Sequence, residues 1–139
     1  MRVVLDTNVL VSALLLESSL PAQLVAEFRR GRFVLLTSAL QLDEFRRVTR
    51  YPKIRSRINA VDAGSLMNDL RKIAVVVEDL PGVDVSRDPF DNFLLAIASG
   101  GGADYLVTGD KPDLLALNRH DGTKIISVRD FVTLTRQFP

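Results

Sequence analysis

Cysteine is absent, which excludes disulfides, thiolate zinc sites and cysteine nucleophiles together. A single histidine, His120, excludes a nuclease built on a histidine acid and a histidine base, and a lone histidine reads as a surface residue without a role. No apolar run reaches membrane-spanning length, and the opening Met1-Arg2-Val3-Val4-Leu5-Asp6 breaks any secretory core with a carboxylate; a cytoplasmic protein with no membrane association is expected. Charge of one sign is also missing. The 18 Lys and Arg residues against 17 Asp and Glu leave a formal charge of +1, so attraction to a polyanion must come from uneven placement. Repeats and low-complexity tracts are lacking, and Asp79 to Asp88, with Pro81 and Gly82, is a polar connection rather than a domain linker. With 47% of 139 residues apolar, one domain over residues 1–139 is expected.

What is present is an alternation of short apolar runs with longer helical patterns. Strands are predicted at Val3 to Leu5, Phe33 to Leu36, Ala74 to Val77, Tyr105 to Val107 and Lys124 to Ile126. Helices are predicted at about Asn8 to Leu16, Pro21 to Arg30, Ser38 to Arg50, Asp62 to Lys72, Pro89 to Ser99 and Pro112 to Leu117, with Ser127 opening a last one. Asp88-Pro89 supplies a cap and a first-turn proline, and Gly100-Gly101-Gly102 is a helix stop; it lacks the Lys-Ser/Thr that a phosphate loop would carry. Apolar strands joined by helical crossovers indicate an α/β fold, a parallel sheet covered by helices on both faces.

In such sheets ligands bind beyond the carboxyl ends of the strands, at the switch point. Asp6 directly follows the first strand and Asp110 the fourth, in Val107-Thr108-Gly109-Asp110. Asp91 falls in the first turn of the helix before that strand, where backbone amides favour negative charge. Helical rows separate Glu44 from its neighbour: Leu40, Glu44 and Val48 bracket it with apolar residues, whereas Ala39, Asp43 and Arg47 form a row ending in an opposite charge. Glu44 is expected half-buried and Asp43 solvated. Four converging carboxylates would repel and raise one another's pKa. An all-oxygen site without cysteine or a histidine cluster suits a hard cation, Mg²⁺ or Mn²⁺, and with it phosphodiester hydrolysis.

Each residue also has a purely local reading. Asp6, Thr7 and Asn8 are cap and turn formers, Asp88 and Asp91 have capping-box spacing, Glu44 alone suits a helix surface, and Asp110 alone suits a turn. Asp113 either caps the short helix after Pro112 or reaches the metal through water, and the cap is preferred. Arg46, Arg47, Arg50, Lys53, Arg55 and Arg57 crowd into twelve residues, with Tyr51 among them. Arg46, Arg47, Arg50 and Lys53 are candidates for phosphate contacts and Tyr51 for stacking on an unpaired base; a solvated helix end is the alternative.

Taken together, Leu5-Asp6-Thr7-Asn8-Val9-Leu10, Glu44, Arg87-Asp88-Pro89-Phe90-Asp91-Asn92 and Tyr105-Leu106-Val107-Thr108-Gly109-Asp110-Lys111 resemble the PIN domain family, in motif order and spacing over nearly the whole chain. The similarity is greatest to the VapC-type toxin branch. The resemblance implies a three-layer α/β/α fold with a five-stranded parallel sheet of order 3-2-1-4-5, and Mg²⁺- or Mn²⁺-dependent cleavage of RNA at Asp6, Glu44, Asp91 and Asp110, all four as metal ligands. It further implies supporting roles for Asn8 and Thr108, a homodimer, and a small antitoxin partner. Many relatives carry a further acid where this chain has Phe90 or Asn92, which leaves Asp91 and Asn92 as alternatives for the third ligand. An RNA-processing or structure-specific nuclease without toxin function, and a non-catalytic nucleic-acid-binding module, are the other functions considered.

Overall fold

A computed structural model describes residues 1–109 and 111–138. The chain opens with β1 (Arg2–Leu5), whose buried residues alternate between the two faces of a sheet. Val3 and Leu5 enter one apolar cluster, and Val4 enters a second on the opposite side. The same division holds at Leu35 and Leu36 of β2 (Val34–Thr37), Val107 and Leu106 of β4 (Tyr105–Thr108), and Ile126 and Ile125 of β6 (Thr123–Ser127). A sheet apolar on both faces needs two helical layers. The first cluster is covered by α1 (Thr7–Leu15), α2 (Leu20–Arg29), α3 (Ala39–Val48), α5 (Ala60–Lys72) and α8 (Val128–Thr135). The second is covered by α6 (Pro89–Gly101) and α7 (Pro112–Leu117). The result is the expected three-layer α/β/α arrangement.

With β3 (Val75–Val76) and β5 (Arg119–His120), the sheet runs β3-β2-β1-β4-β6-β5. The first five positions are parallel and reproduce the order 3-2-1-4-5, with β6 as the predicted fifth strand. The expectation of a five-stranded, wholly parallel sheet is corrected by β5, which pairs antiparallel with β6. The cause is Asp121-Gly122, a two-residue loop with φ of 47° and 82°, positive at both positions as a primed hairpin turn requires. A one-turn helix, α4 (Pro52–Arg55), was also not anticipated.

Side chains set most helix starts. Asp6, Ser19, Ser38, Asn59, Asp88 and Ser127 each accept a hydrogen bond from a first-turn amide. Asn59 therefore starts α5 at Ala60, ahead of the expected Asp62. The glycine run divides its roles. Gly102, at φ 64°, is the left-handed cap that ends α6, whereas Gly100 and Gly101 lie inside the helix. A Cβ at Gly101 would lie 2.7 Å from Leu36 Cδ1 and 2.8 Å from Val77 Cγ2, so this glycine lets α6 close onto the sheet. Among the described residues no single helix is long and apolar enough to cross a membrane.

Candidate metal centre

β1 and β4 are neighbours at the point where the strand order reverses, so the loops leaving their carboxyl ends diverge and open a crevice. Asp6 stands there, tied to the sheet by its amide, which donates to the Val107 carbonyl at 2.9 Å. Its carboxylate is 1% exposed and does two things at once. Oδ1 accepts from the Asn8 amide at 3.1 Å, the cap of α1, and Oδ2 accepts from Thr108 Oγ1 at 3.0 Å. The local reading of Asp6 as a cap is correct and incomplete: capping occupies one oxygen and aims the other at the crevice. A cavity of about 210 Å³ opens there, lined by Asp6, Asn8, Gly109 and Lys111 among others.

Asp91, in the first turn of α6, is 2% exposed. It makes no capping box, because Asp88 Oδ1 takes the Phe90 amide at 2.9 Å and the Asp88 amide turns to Ser86 Oγ at 3.3 Å. Asp91 instead faces inward, where Oδ2 accepts from Ser86 Oγ at 3.1 Å and Oδ1 from Lys111 Nζ at 3.3 Å. The same Lys111 ammonium lies 3.6 Å from Asp6 Oδ2 and 4.9 Å from the centre of the Phe90 ring. Two nearly dry carboxylates thus share one internal counter-charge, which offsets the cost of burying them.

Glu44 is half-buried on α3 and Asp43 is exposed, as the helical rows predicted, but not for the reason given. Leu40 is 61% exposed and shields nothing. The buried side of the helix is Gln41 and Phe45, and Gln41 lies one turn before Glu44. Gln41 Nε2 donates to the Leu5 carbonyl at 2.8 Å and to Thr7 Oγ1 at 3.3 Å, while its Oε1 accepts from Thr37 Oγ1 at 2.6 Å. This buried amide pins α3 to the carboxyl ends of β1 and β2 and so sets where Glu44 points. Burial pushes the Glu44 carboxyl above its ordinary value; Arg47 pulls it back, Asp6 pushes it up further, and Lys111 lowers it. Asp6 and Lys111 are thus near enough to Glu44 for their charges to act on it.

The remaining candidates divide. Thr108 is fully buried on Asp6, and Asn8 is exposed at the cavity mouth. Asn92 turns away: Oδ1 accepts from the Val85 and Ser86 amides at 3.1 and 2.8 Å, and Nδ2 donates to the Ser86 carbonyl at 2.9 Å. Its polar atoms hold the loop that carries Ser86 to Asp91, so of the two alternatives only Asp91 faces the centre. Asp113 is exposed in the first turn of α7. Asp110 lies outside the described residues. Arg46, Arg47, Arg50, Tyr51 and Lys53 are all exposed around the end of α3 and along α4. His120 lies on β5 with its Nε2 3.4 Å from Asp121 Oδ2, and its side chain is 16% exposed rather than at the surface as expected, because β5 is paired to β6.

Among the described residues, which leave out Asp110, no three carboxylate or histidine side chains converge closely enough to hold an ion. What is present is a carboxylate pair bridged by an ammonium, with a third carboxylate disfavoured by its surroundings. Carboxylate oxygens suit a hard divalent cation: those of Asp6 and Asp91, now bridged by Lys111, would hold it, and it would take over the neutralisation that Lys111 provides.

The PIN domain model matches residues 2–112, and the chain belongs to the PIN domain family. PIN domains are generally nucleases, and typically use divalent metals. The chain is also similar to an uncharacterized protein of Methanocaldococcus jannaschii, MJ1680, with 28% identity over 130 residues, covering 93% of this chain and 81% of that protein.

Proposed function

We propose that this protein is an Mg²⁺- or Mn²⁺-dependent endoribonuclease that hydrolyses RNA phosphodiester bonds, with Asp6, Glu44, Asp91 and Asp110 as its catalytic and metal-binding carboxylates. The observation that carries the reading is the buried Asp6–Lys111–Asp91 constellation at the switch point of the sheet, with Glu44 coupled to it. A fold needs no such buried charges for stability, since apolar replacements serve it as well or better.

In this mechanism water adds to phosphorus and the bond to the leaving ribose oxygen breaks. A bound divalent ion would supply charge neutralisation at the phosphoryl oxygens and a lowered pKa for water. The chain's own contribution is rigidity. Thr108 and the Asn8 amide fix both oxygens of Asp6, Ser86 fixes Asp91, and Gln41 fixes the helix that presents Glu44. Lys111 offsets the charge of the two carboxylates and leaves its ammonium near enough to draw a phosphate oxygen toward the crevice.

The test is Mn²⁺-dependent cleavage of a mixed RNA by the wild type and by Asp6→Asn, with circular dichroism as the control for folding. Loss of cleavage in a folded variant is expected; unchanged cleavage would sink the assignment. The toxin role, a small antitoxin covering the acidic crevice, a homodimer and a cytoplasmic location belong to the same proposal. They rest on likeness to the VapC-type branch. Growth arrest by the wild type but not by Asp6→Asn is the expected sign of a toxin. Equal growth of both strains would remove that role while leaving the nuclease chemistry standing.

A further inference from the structure

A groove of about 460 Å³ runs between α3, α4 and α5, apart from the carboxylate crevice. Its rim carries Arg46, Arg50, Arg55 and Arg71, and its apolar floor includes Ile58, Ala63 and Met67. Among the described residues none of these four guanidinium groups has a carboxylate within ion-pairing distance, whereas nearby Arg29 is paired with Asp69. Helix ends favour basic residues. That preference accounts for a cation at the end of each helix, but not for four converging unpaired on one apolar channel.

A second observation concerns Gly64. It sits in the middle of α5, where glycine disfavours helix, and lines the groove. No backbone strain and no close packing require it, since a Cβ there would meet nothing within 4 Å. The missing side chain keeps the channel open and lets a ligand approach the helix backbone.

We propose that this groove binds an unpaired stretch of the RNA substrate, its phosphates on the arginine rim and a base laid on the Ile58–Met67 floor. This rests on the nuclease reading above. The arginines offer planar, bidentate partners for phosphate and faces on which bases stack, which lysines do not. Helix α3 links the two sites: it carries Glu44, on which the charges of Asp6 and Lys111 act, and two residues on, about 3 Å along the axis, Arg46 of the groove, with Arg50 just past the helix end. A strand whose scissile phosphate lies at the carboxylates therefore reaches the groove without leaving α3. Duplex RNA presents phosphates but no free base for the floor. The groove thus takes Arg46, Arg50 and Arg55 from the basic segment of the sequence, adds Arg71 and an apolar base seat, and leaves Arg47, Tyr51 and Lys53 off the groove lining.

The experiment is fluorescence anisotropy in EDTA, with the full chain and three labelled probes of equal length: oligouridylate, the abasic ribose-phosphate backbone, and duplex RNA. The wild type should prefer oligouridylate over both others by several-fold. Arg50→Gln with Arg71→Gln should reduce the magnitude of the slope of log K against log salt by about 1.4, two contacts at about 0.7 each. Gly64→Leu fills the channel without touching charge, and should keep the slope while abolishing the preference over the abasic backbone. Its thermal midpoint, expected at or above wild type, verifies folding. If both variants bind as the wild type does while Asp6→Asn abolishes cleavage, the groove inference falls alone. If neither binding nor cleavage of RNA is found, the nuclease reading falls with it. Competition by polyglutamate that exceeds that of unlabelled oligouridylate, and that Gly64→Leu removes, would assign the groove to an acidic protein instead.

Discussion

Replacing Lys111 by Met removes the ammonium but keeps an unbranched side chain against Phe90. The two carboxylates it bridges then face one another in a site where Asp6 and Asp91 are 1% and 2% exposed. At 3.3 and 3.6 Å, each attraction is worth roughly 5 kcal/mol at an effective dielectric of about 20. Desolvation of the ammonium offsets much of this, and stripping one partner from a buried ion cluster typically costs about 3–5 kcal/mol. The expected loss for Lys111→Met in EDTA is toward the lower end, about 3 kcal/mol, because the lysine side chain retains 22% exposure. Urea denaturation in EDTA measures it. The decisive comparison is the same series with saturating Mn²⁺, which replaces the lost positive charge: the gain in stability on adding metal should be larger in the variant than in the wild type. Equal gains, or a variant as stable as the wild type in EDTA, would refute the view that Lys111 neutralises an otherwise repulsive cation site.

The raised pKa of Glu44 has a definite sign. The folded state holds that proton more tightly than the unfolded chain, so without metal the wild type loses stability as pH rises from the ordinary value of 4.5 through the raised one; Glu44→Gln lacks this loss, and urea titrations across that window in EDTA should find it the more stable at neutral pH. Gln41→Leu leaves the Leu5 carbonyl and the Thr7 and Thr37 hydroxyls without their partner. It should cost about 1–3 kcal/mol and also lower Mn²⁺-dependent cleavage, read from denaturation midpoints and turnover in parallel. The same change has opposite signs at two helical glycines: Gly101→Ala drives a methyl into Leu36 and Val77 and should destabilise by about 1–3 kcal/mol, whereas Gly64→Ala meets open space and should stabilise by about 0.5–1 kcal/mol. Thermal melts of the pair check both.

The parallel strands and the helices on both faces were legible because the apolar strands and helix caps are local signals that the tertiary structure obeys; the strand order came only through the likeness to the PIN family. Asp6 was legible for the same reason, since a carboxylate directly after a central strand has one place to go. The boundaries that failed involve tight local chemistry: Asp121-Gly122 makes a hairpin too short for periodicity to detect, and Tyr51-Pro52 starts a single turn inside a charged segment. The site was harder to read. Lys111 follows Asp110 in sequence and resembles any solvated lysine, and only the packing of α6 against β4 brings Asp91 beneath it. Gln41 was passed over because a glutamine becomes a positioning residue only when two strand ends from elsewhere supply its partners. Asn92 was weighed as a ligand from the family resemblance, yet its amide oxygen accepts from two backbone N–H groups of the Ser86 loop, a pairing that sequence spacing does not reveal.

The central claim is that Asp6 and Asp91 are two walls of one cation site now held by Lys111. Its most direct test is a crystal structure of the wild type soaked in Mn²⁺, with the ion located by anomalous scattering. The account predicts an ion coordinated by Asp6 and Asp91, with the Lys111 ammonium withdrawn from between them and Asn92 still on the Ser86 loop. An ion bound elsewhere, or an unmoved Lys111 bridge at saturating Mn²⁺, would contradict it.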